Sequence, residues 1–234
     1  MEEPDVMQNP NVKVVIPALN EEEAIGKVVR SIVGKAAQVI VVDNGSTDKT
    51  VEVARAAGAS TVSVPEAGYG RACLAGIKAA GDYDILVFMD GDAADDADDF
   101  DALIAPIIAG DASFVVGSRL IGDVEKGALT TPQRFGNSLA CFLMRVIWKS
   151  RFTDLGPFRA IRRDALESLN MQAPTFGWTV EMQARILKQE IVYTEIPVRY
   201  HKRIGTSKIS GTISGVVLAG WYILSTIFIE ALRP

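Results

Sequence analysis

From residue 12 to residue 119, short apolar runs alternate with helical segments, and no other feature limits the fold so tightly. VKVVIPALN (12–20), AQVIVVD (37–43), STVSVPE (60–66), YDILVFMD (83–90) and ASFVVGSR (112–119) read as strands. The first is expected to break at Pro17. Between them, segments 21–35, 46–59, 68–81 and 97–110 read as helices; the first has its acids in the opening turn and a lysine at its end. This alternation predicts an α/β fold, with a mostly parallel central sheet flanked by helices and joined by right-handed crossovers. The near-continuous apolar strands suit a sheet covered on both faces. Ligands of such sheets sit beyond the carboxyl ends of the strands. Asp43, Asp90 and Arg119 all fall at such ends.

After 119 the alternation stops. Residues 130–150 read as a turn and a long apolar helix, 152–169 as a loop and a short helix, 175–190 as a helix and 191–203 as a strand. No repeat or flexible linker interrupts the chain. The expectation is one domain over 1–208, with a nucleotide half (12–119) and an acceptor half (120–208), followed by an apolar helix over 209–234. From Ile209 to Ile229 there is no formal charge, which approaches the ~20 residues of a bilayer span. Glycine, serine and threonine dilute that stretch. It has three readings: a helix resting on a membrane surface, a packing or homodimerisation element, or a short span.

Net charge is −5 over 234 residues, which argues against a general nucleic-acid-binding surface. The single histidine, His201, leaves little room for a His-based zinc site or a serine-protease triad. Cys73 and Cys141 sit in apolar, helix-like surroundings and read as buried thiols. The acidic N-terminal segment lacks the apolar run of a signal peptide, so a cytoplasmic protein is expected.

Two stretches carry chemistry. In MDGD, Asp90 and Asp92 are two residues apart, so extended backbone turns both carboxylates to one side, and Gly91 permits a tight backbone. Such a pair suits Mg²⁺ or Mn²⁺, with a diphosphate supplying further oxygens. The acids that follow, Asp95, Asp96, Asp98 and Asp99, read as a solvated run. An EF-hand is excluded because Asp101 stands where its glutamate belongs. In VVDNGSTD, Asp43 can accept from a nucleobase N–H, and Asn44-Gly45 supplies the turn; a capping turn without a ligand is the plain alternative. Neither GxGxxG nor a P-loop is present.

Together VVIPALNEEEAIGKVV, VIVVDNGSTDKT, MDGDA, VVGSR and GPFRAIRRDAL resemble the inverting glycosyltransferases of family 2, with the GT-A fold, over about residues 12–208. Within these the chain is most similar to the polyprenyl (dolichyl) phosphate mannose and glucose synthases. The resemblance implies hexose transfer from a UDP- or GDP-sugar to a polyprenyl phosphate at a membrane surface. It implies that Pro17, Ala18, Asn20, Glu21 and Gly45 line the nucleotide pocket, and that Asp43 reads the base. Asp90, Gly91 and Asp92 would hold the metal and diphosphate. Arg119, Arg134 and Ser138 would contact the acceptor phosphate, and Arg159, Arg203 and Lys208 would close over phosphates. Glu181, on the GWTVEMQ helix, would orient the sugar or acceptor. Catalytic weight would fall on Asp92, Glu181 and Arg119. TDLGPFR (153–159) and GWTVEMQ (177–183) depart from the family pattern, which leaves sugar and acceptor open.

A hydroxyl acceptor needs a general base, whereas an ionised phosphate needs cations to place it. The rival readings are transfer to a hydroxyl on a glycan or lipid, a nucleotidyltransferase, and a non-catalytic nucleotide-sugar-binding module. A nucleotidyltransferase would show a Gly-rich basic loop where this chain has PALNEEE.

Overall fold

The computed structural model describes residues 7–205 and 213–233. Seven strands form one sheet in the order β3-β2-β1-β4-β6-β5-β7. Strands β1 (Val12–Ala18), β2 (Gln38–Asp43), β3 (Ser60–Ser63) and β4 (Ile85–Phe88) run parallel, as the alternation predicts. Helices α1 (Ile25–Ile32), α2 (Thr50–Ala56) and α3 (Tyr69–Ala80) make the crossovers, and α4 (Phe100–Ile108) follows β4. Pro17 does not break β1, which runs on to Ala18. β4 pairs with β1 only as far as Val15, so the missing N–H of Pro17 costs no ladder bond on that side.

The second half departs from expectation. Arg159–Arg162, read as loop, forms β6, which runs antiparallel between β4 and β5 (Phe114–Val124). β7 (Tyr193–Tyr200) then pairs parallel with β5. Helices α5 (Thr131–Trp148), α6 (Arg163–Leu169), α7 (Trp178–Lys188) and α8 (Ile213–Leu232) complete the chain. α5 opens on a capping box between Thr130 and Gln133, with Pro132 in its first turn, and closes on a left-handed Lys149.

Two apolar layers cover the sheet. Ile25, Val29 and Ile32 of α1 and Leu103 and Ile107 of α4 pack on one face with Val14, Ile16 and Val87. Cys73 of α3, Met144 of α5, Ile186 of α7 and Ile227 of α8 pack on the other with Val15, Phe88 and Phe114. Each fully buried Val or Ile contributes roughly 1.5–3 kcal/mol. The helix expected as a separate C-terminal element is part of this second layer. Glu230 is buried and pairs with Arg185 of α7 at 3.0 Å. Gly177 lies so close to Thr226 that a side chain there would collide. Among the described residues no helix is long and apolar enough to cross a membrane. Lys208 lies outside the described residues.

Candidate active site

The carboxyl ends of β1, β2 and β4 open onto one cavity of about 320 Å³, lined by Pro17, Ala18, Glu21, Asp90, Gly91, Asp92 and Arg203 among the residues the sequence singles out. A larger cavity, about 500 Å³, beside Lys149, Arg151 and Tyr193 holds none of the strand-end carboxylates. Asn44, Gly68, Tyr69 and Phe176 also line the first cavity and were not foreseen. Asn44 is spent on architecture: its amide donates to Glu66 O at 2.8 Å, and its oxygen accepts from Gly68 N at 2.7 Å. This ties the end of β2 to the start of α3. Gly68 and Gly70 approach the 173–174 backbone so closely that a Cβ at either would strike a carbonyl oxygen. The GYG triplet was the available signal, since close backbone approach needs glycine.

Asp43 ends β2 and is buried, and its Oδ1 accepts from Ser46 N at 3.0 Å. Its Oδ2 has no partner among the described residues. Gly45 forms the turn at φ 91°, and Asn20 clamps that turn by accepting from Thr47 N at 2.7 Å. These three shape the site's edge without lining the cavity.

β4 ends at Phe88, two residues earlier than expected, so both carboxylates lie beyond the strand, Asp90 just ahead of a turn and Asp92 within it. Tyr69 donates its hydroxyl to Asp90 Oδ1 at 3.3 Å. Asp92 Oδ1 accepts from Ala94 N at 3.0 Å, and its Oδ2 faces Arg203 at 3.4 Å. Arg203 also pairs with Glu21 at 2.6 Å, which holds it at the cavity that both residues line. Burial, and then the charge of Asp92, push the Asp90 carboxyl up to about 7.

The acidic run after Asp92 is not simply solvated. Asp95 is buried, and its Oδ2 accepts from Asp90 N at 3.1 Å, which braces the turn. Asp96 and Asp99 hold Arg199 of β7, and Asp96 also meets His201. The run docks β7 beside the carboxylate turn.

β5 runs on to Val124, so Arg119 lies within the strand and not at the carboxyl end where the sequence reading puts it. Its side chain packs against Asp154, with Nε and Nη2 donating at 2.8 and 2.7 Å. Its guanidinium also covers the Tyr200 ring at 5.0 Å. Arg134 and Ser138 are exposed, one turn apart on α5. Between them Asn137 bonds Thr153 O and Leu155 N, flanking Asp154. Arg119, Arg134 and Ser138 all lie outside the cavity lining.

Two expected site residues are corrected. Arg159 is fully buried, and its guanidinium donates to Gly156 O at 3.0 Å, Leu155 O at 2.7 Å and Thr179 O at 3.0 Å. This carbonyl cage leaves it no reach to a phosphate. Burial lowers its pKa to about 10, so it remains charged at neutral pH. Glu181 is also buried, accepting from Gln172 N and Ala173 N while pairing with Arg185 at 2.7 Å. It anchors the loop that meets Gly68 and Gly70. Trp178 is core as well, with its ring edge-on to Phe88. Arg162 and Arg163 make surface pairs with Asp164 and Glu167.

Similarity to known proteins agrees with this geometry. An uncharacterised glycosyltransferase of Mycobacterium tuberculosis is 34% identical over 220 residues, covering 92% of this chain and 98% of that one. A dolichyl-phosphate hexose transferase of Haloferax volcanii is 32% identical over 234 residues, covering 95% and 96%. Among solved structures, glucosyl-3-phosphoglycerate synthase from M. tuberculosis, crystallised with Mn²⁺, UDP and glucosyl-3-phosphoglycerate, superposes with a TM-score of 0.79 at 24% identity. The match covers 97% of this chain and 81% of that one. The fold is GT-A, as the resemblance implies. The model of glycosyl transferase family 2 matches residues 13–169, and the chain belongs to that family.

Proposed function

We propose that this glycosyltransferase moves a hexose, with inversion, from a nucleoside diphosphate sugar to a polyprenyl phosphate. The observation that carries the donor side is the single cavity joining Pro17 and Ala18 to Asp90, Asp92 and Arg203. Asp43 reads the base by accepting one of its N–H groups; its place at the end of β2, next to the cavity-lining Asn44, supports this. Arg203, paired with Asp92, supplies a cation to the diphosphate.

Asp90 and Asp92 fit a divalent cation, Mg²⁺ or Mn²⁺: they are hard oxygen donors on one turn, and Asp92 already faces a cation. The diphosphate oxygens would add to these two carboxylates in holding the cation. A cation bound there offsets charge on the leaving nucleoside diphosphate.

For the acceptor, Arg119, Arg134 and Ser138 provide cationic and hydroxyl contacts, and Glu181 is occupied by Arg185 and two backbone N–H groups. An ionised phosphate needs placement and not deprotonation. The dolichyl-phosphate hexose transferase matched end to end supports this acceptor. The test is transfer from UDP- and GDP-hexoses with Mn²⁺ to polyprenyl phosphate, to the unphosphorylated polyprenol and to an oligosaccharide. Product is expected with the phosphate alone. Equal transfer to a hydroxyl acceptor would overturn the reading.

The raised Asp90 carboxyl has a pH consequence. A divalent cation takes the ionised form, so Mn²⁺ affinity should rise roughly tenfold per pH unit up to about 7 and then level off. The sign for folding is opposite. The metal-free folded state holds an extra proton between the ordinary carboxylate pKa and about 7, so stability falls as pH rises through that window. Mn²⁺ titrations at pH 6, 7 and 8 check this; a flat affinity would refute it.

A further inference from the structure

We infer that the outward faces of α5 and α8 dock this protein on an anionic lipid bilayer surface, a reading that rests on the proposed lipid acceptor and names how it is reached. On α5, Phe135 (69%), Phe142 (58%) and Val146 (65%) are exposed. At 100° per residue they share one narrow arc of the helix, bordered by exposed Arg134, Ser138, Arg145 and Lys149. On α8, Leu218, Trp221, Phe228, Ile229 and Leu232 are exposed and again fall on one arc. The opposite side of α8 buries Ile227 and Glu230. The two helices pack against each other in the layer that covers one face of the sheet. Exposed apolar arcs on two helices packed side by side mark an interaction site.

Charge selects the occupant. Between Glu125 and Asp154 the chain has no acid and five bases, Lys126, Arg134, Arg145, Lys149 and Arg151, in a protein of net charge −5. The one acid of α8, Glu230, is buried against Arg185. A two-fold dimer through this face would bring bases toward bases with no exposed acid of either helix to meet them. An anionic bilayer accepts both parts: apolar side chains enter the acyl boundary, and the bases meet the headgroups. α5 also leads to the acceptor side. Arg134 and Ser138 are in its first two turns, and Asn137 holds the 153–155 segment whose Asp154 grips Arg119.

The test is flotation of the full chain with phosphatidylcholine vesicles and with phosphatidylcholine–phosphatidylglycerol vesicles, both lacking polyprenyl phosphate. Wild type should float with the anionic vesicles and at least about tenfold less with the neutral ones, and salt should weaken binding. F142E/V146E should lose anionic-vesicle binding by at least about tenfold. R145E/K149E should bind both vesicles alike. Mn²⁺-dependent UDP binding, read by thermal shift, should be unchanged in both variants. Absence of wild-type flotation overturns the inference. So does a solution dimer that F142E/V146E breaks while vesicle binding persists. Transfer to a short, water-soluble prenyl phosphate should survive in F142E/V146E. If wild type cannot perform it, the acceptor reading fails while flotation still reports on the surface.

Discussion

Replacing Asp92 with asparagine lowers hexose transfer on the order of 10²–10³-fold, with little change in folding. Asn keeps a side-chain oxygen for the Ala94 N–H, so the turn holds. What it removes is the negative charge that faces Arg203 and would ligate the cation. Arg203 retains Glu21, which keeps it near the cavity. Mn²⁺-dependent tightening of nucleotide binding should therefore vanish, while weak metal-independent binding through the base side remains. Asp98→Asn, on an exposed acid of the same run, is the control and should leave transfer unchanged. Near-normal turnover by Asp92→Asn would remove this carboxylate from the reaction and undo the metal assignment with it.

The first half of the sheet was legible because hydropathy and chain order determine it. Apolar runs between helices place β1, β2 and β4 side by side, and that arrangement brings Asp43 and the Asp90–Asp92 turn to one edge. The second half was less legible for a physical reason. β6 is four residues long with arginines at both ends, so no apolar period marks it. It is held in the sheet by pairing with β4 and β5 and by the Arg159 guanidinium among backbone carbonyls. Motif position says that an arginine stands there, not that it points inward. Glu181 misled in the same way, since its partners Gln172, Ala173 and Arg185 are visible only once α7 is folded against its preceding loop. Asp95 was hidden in a charge run whose members part ways, one buried under Asp90 and two bound to Arg199. Tyr69 and Phe176 reach the cavity from segments about a hundred positions apart, which no local pattern records.

Asp154→Asn is expected to destabilise the fold by about 3–5 kcal/mol, a large part of a typical domain's stability. Asp154 is fully buried and accepts from Arg119 three times, through N, Nε and Nη2. The arginine side chain is itself only 13% exposed, so solvent does little to replace the lost charge. Asparagine offers one acceptor oxygen and turns an NH₂ group toward a guanidinium that can only donate. The loss should appear in urea unfolding as a lower midpoint with an unchanged slope. R119M/D154L removes both charges and should recover much of that stability, because a missing partner costs more than a missing pair. A loss below about 1 kcal/mol for Asp154→Asn would show that the pair is not a structural clamp. Function separates the two variants from each other. Asp154→Asn leaves the Arg119 cation in place but unaligned, so at a temperature where it is folded it should raise the acceptor KM. R119M/D154L restores the fold without the cation, so stability returns while acceptor affinity does not.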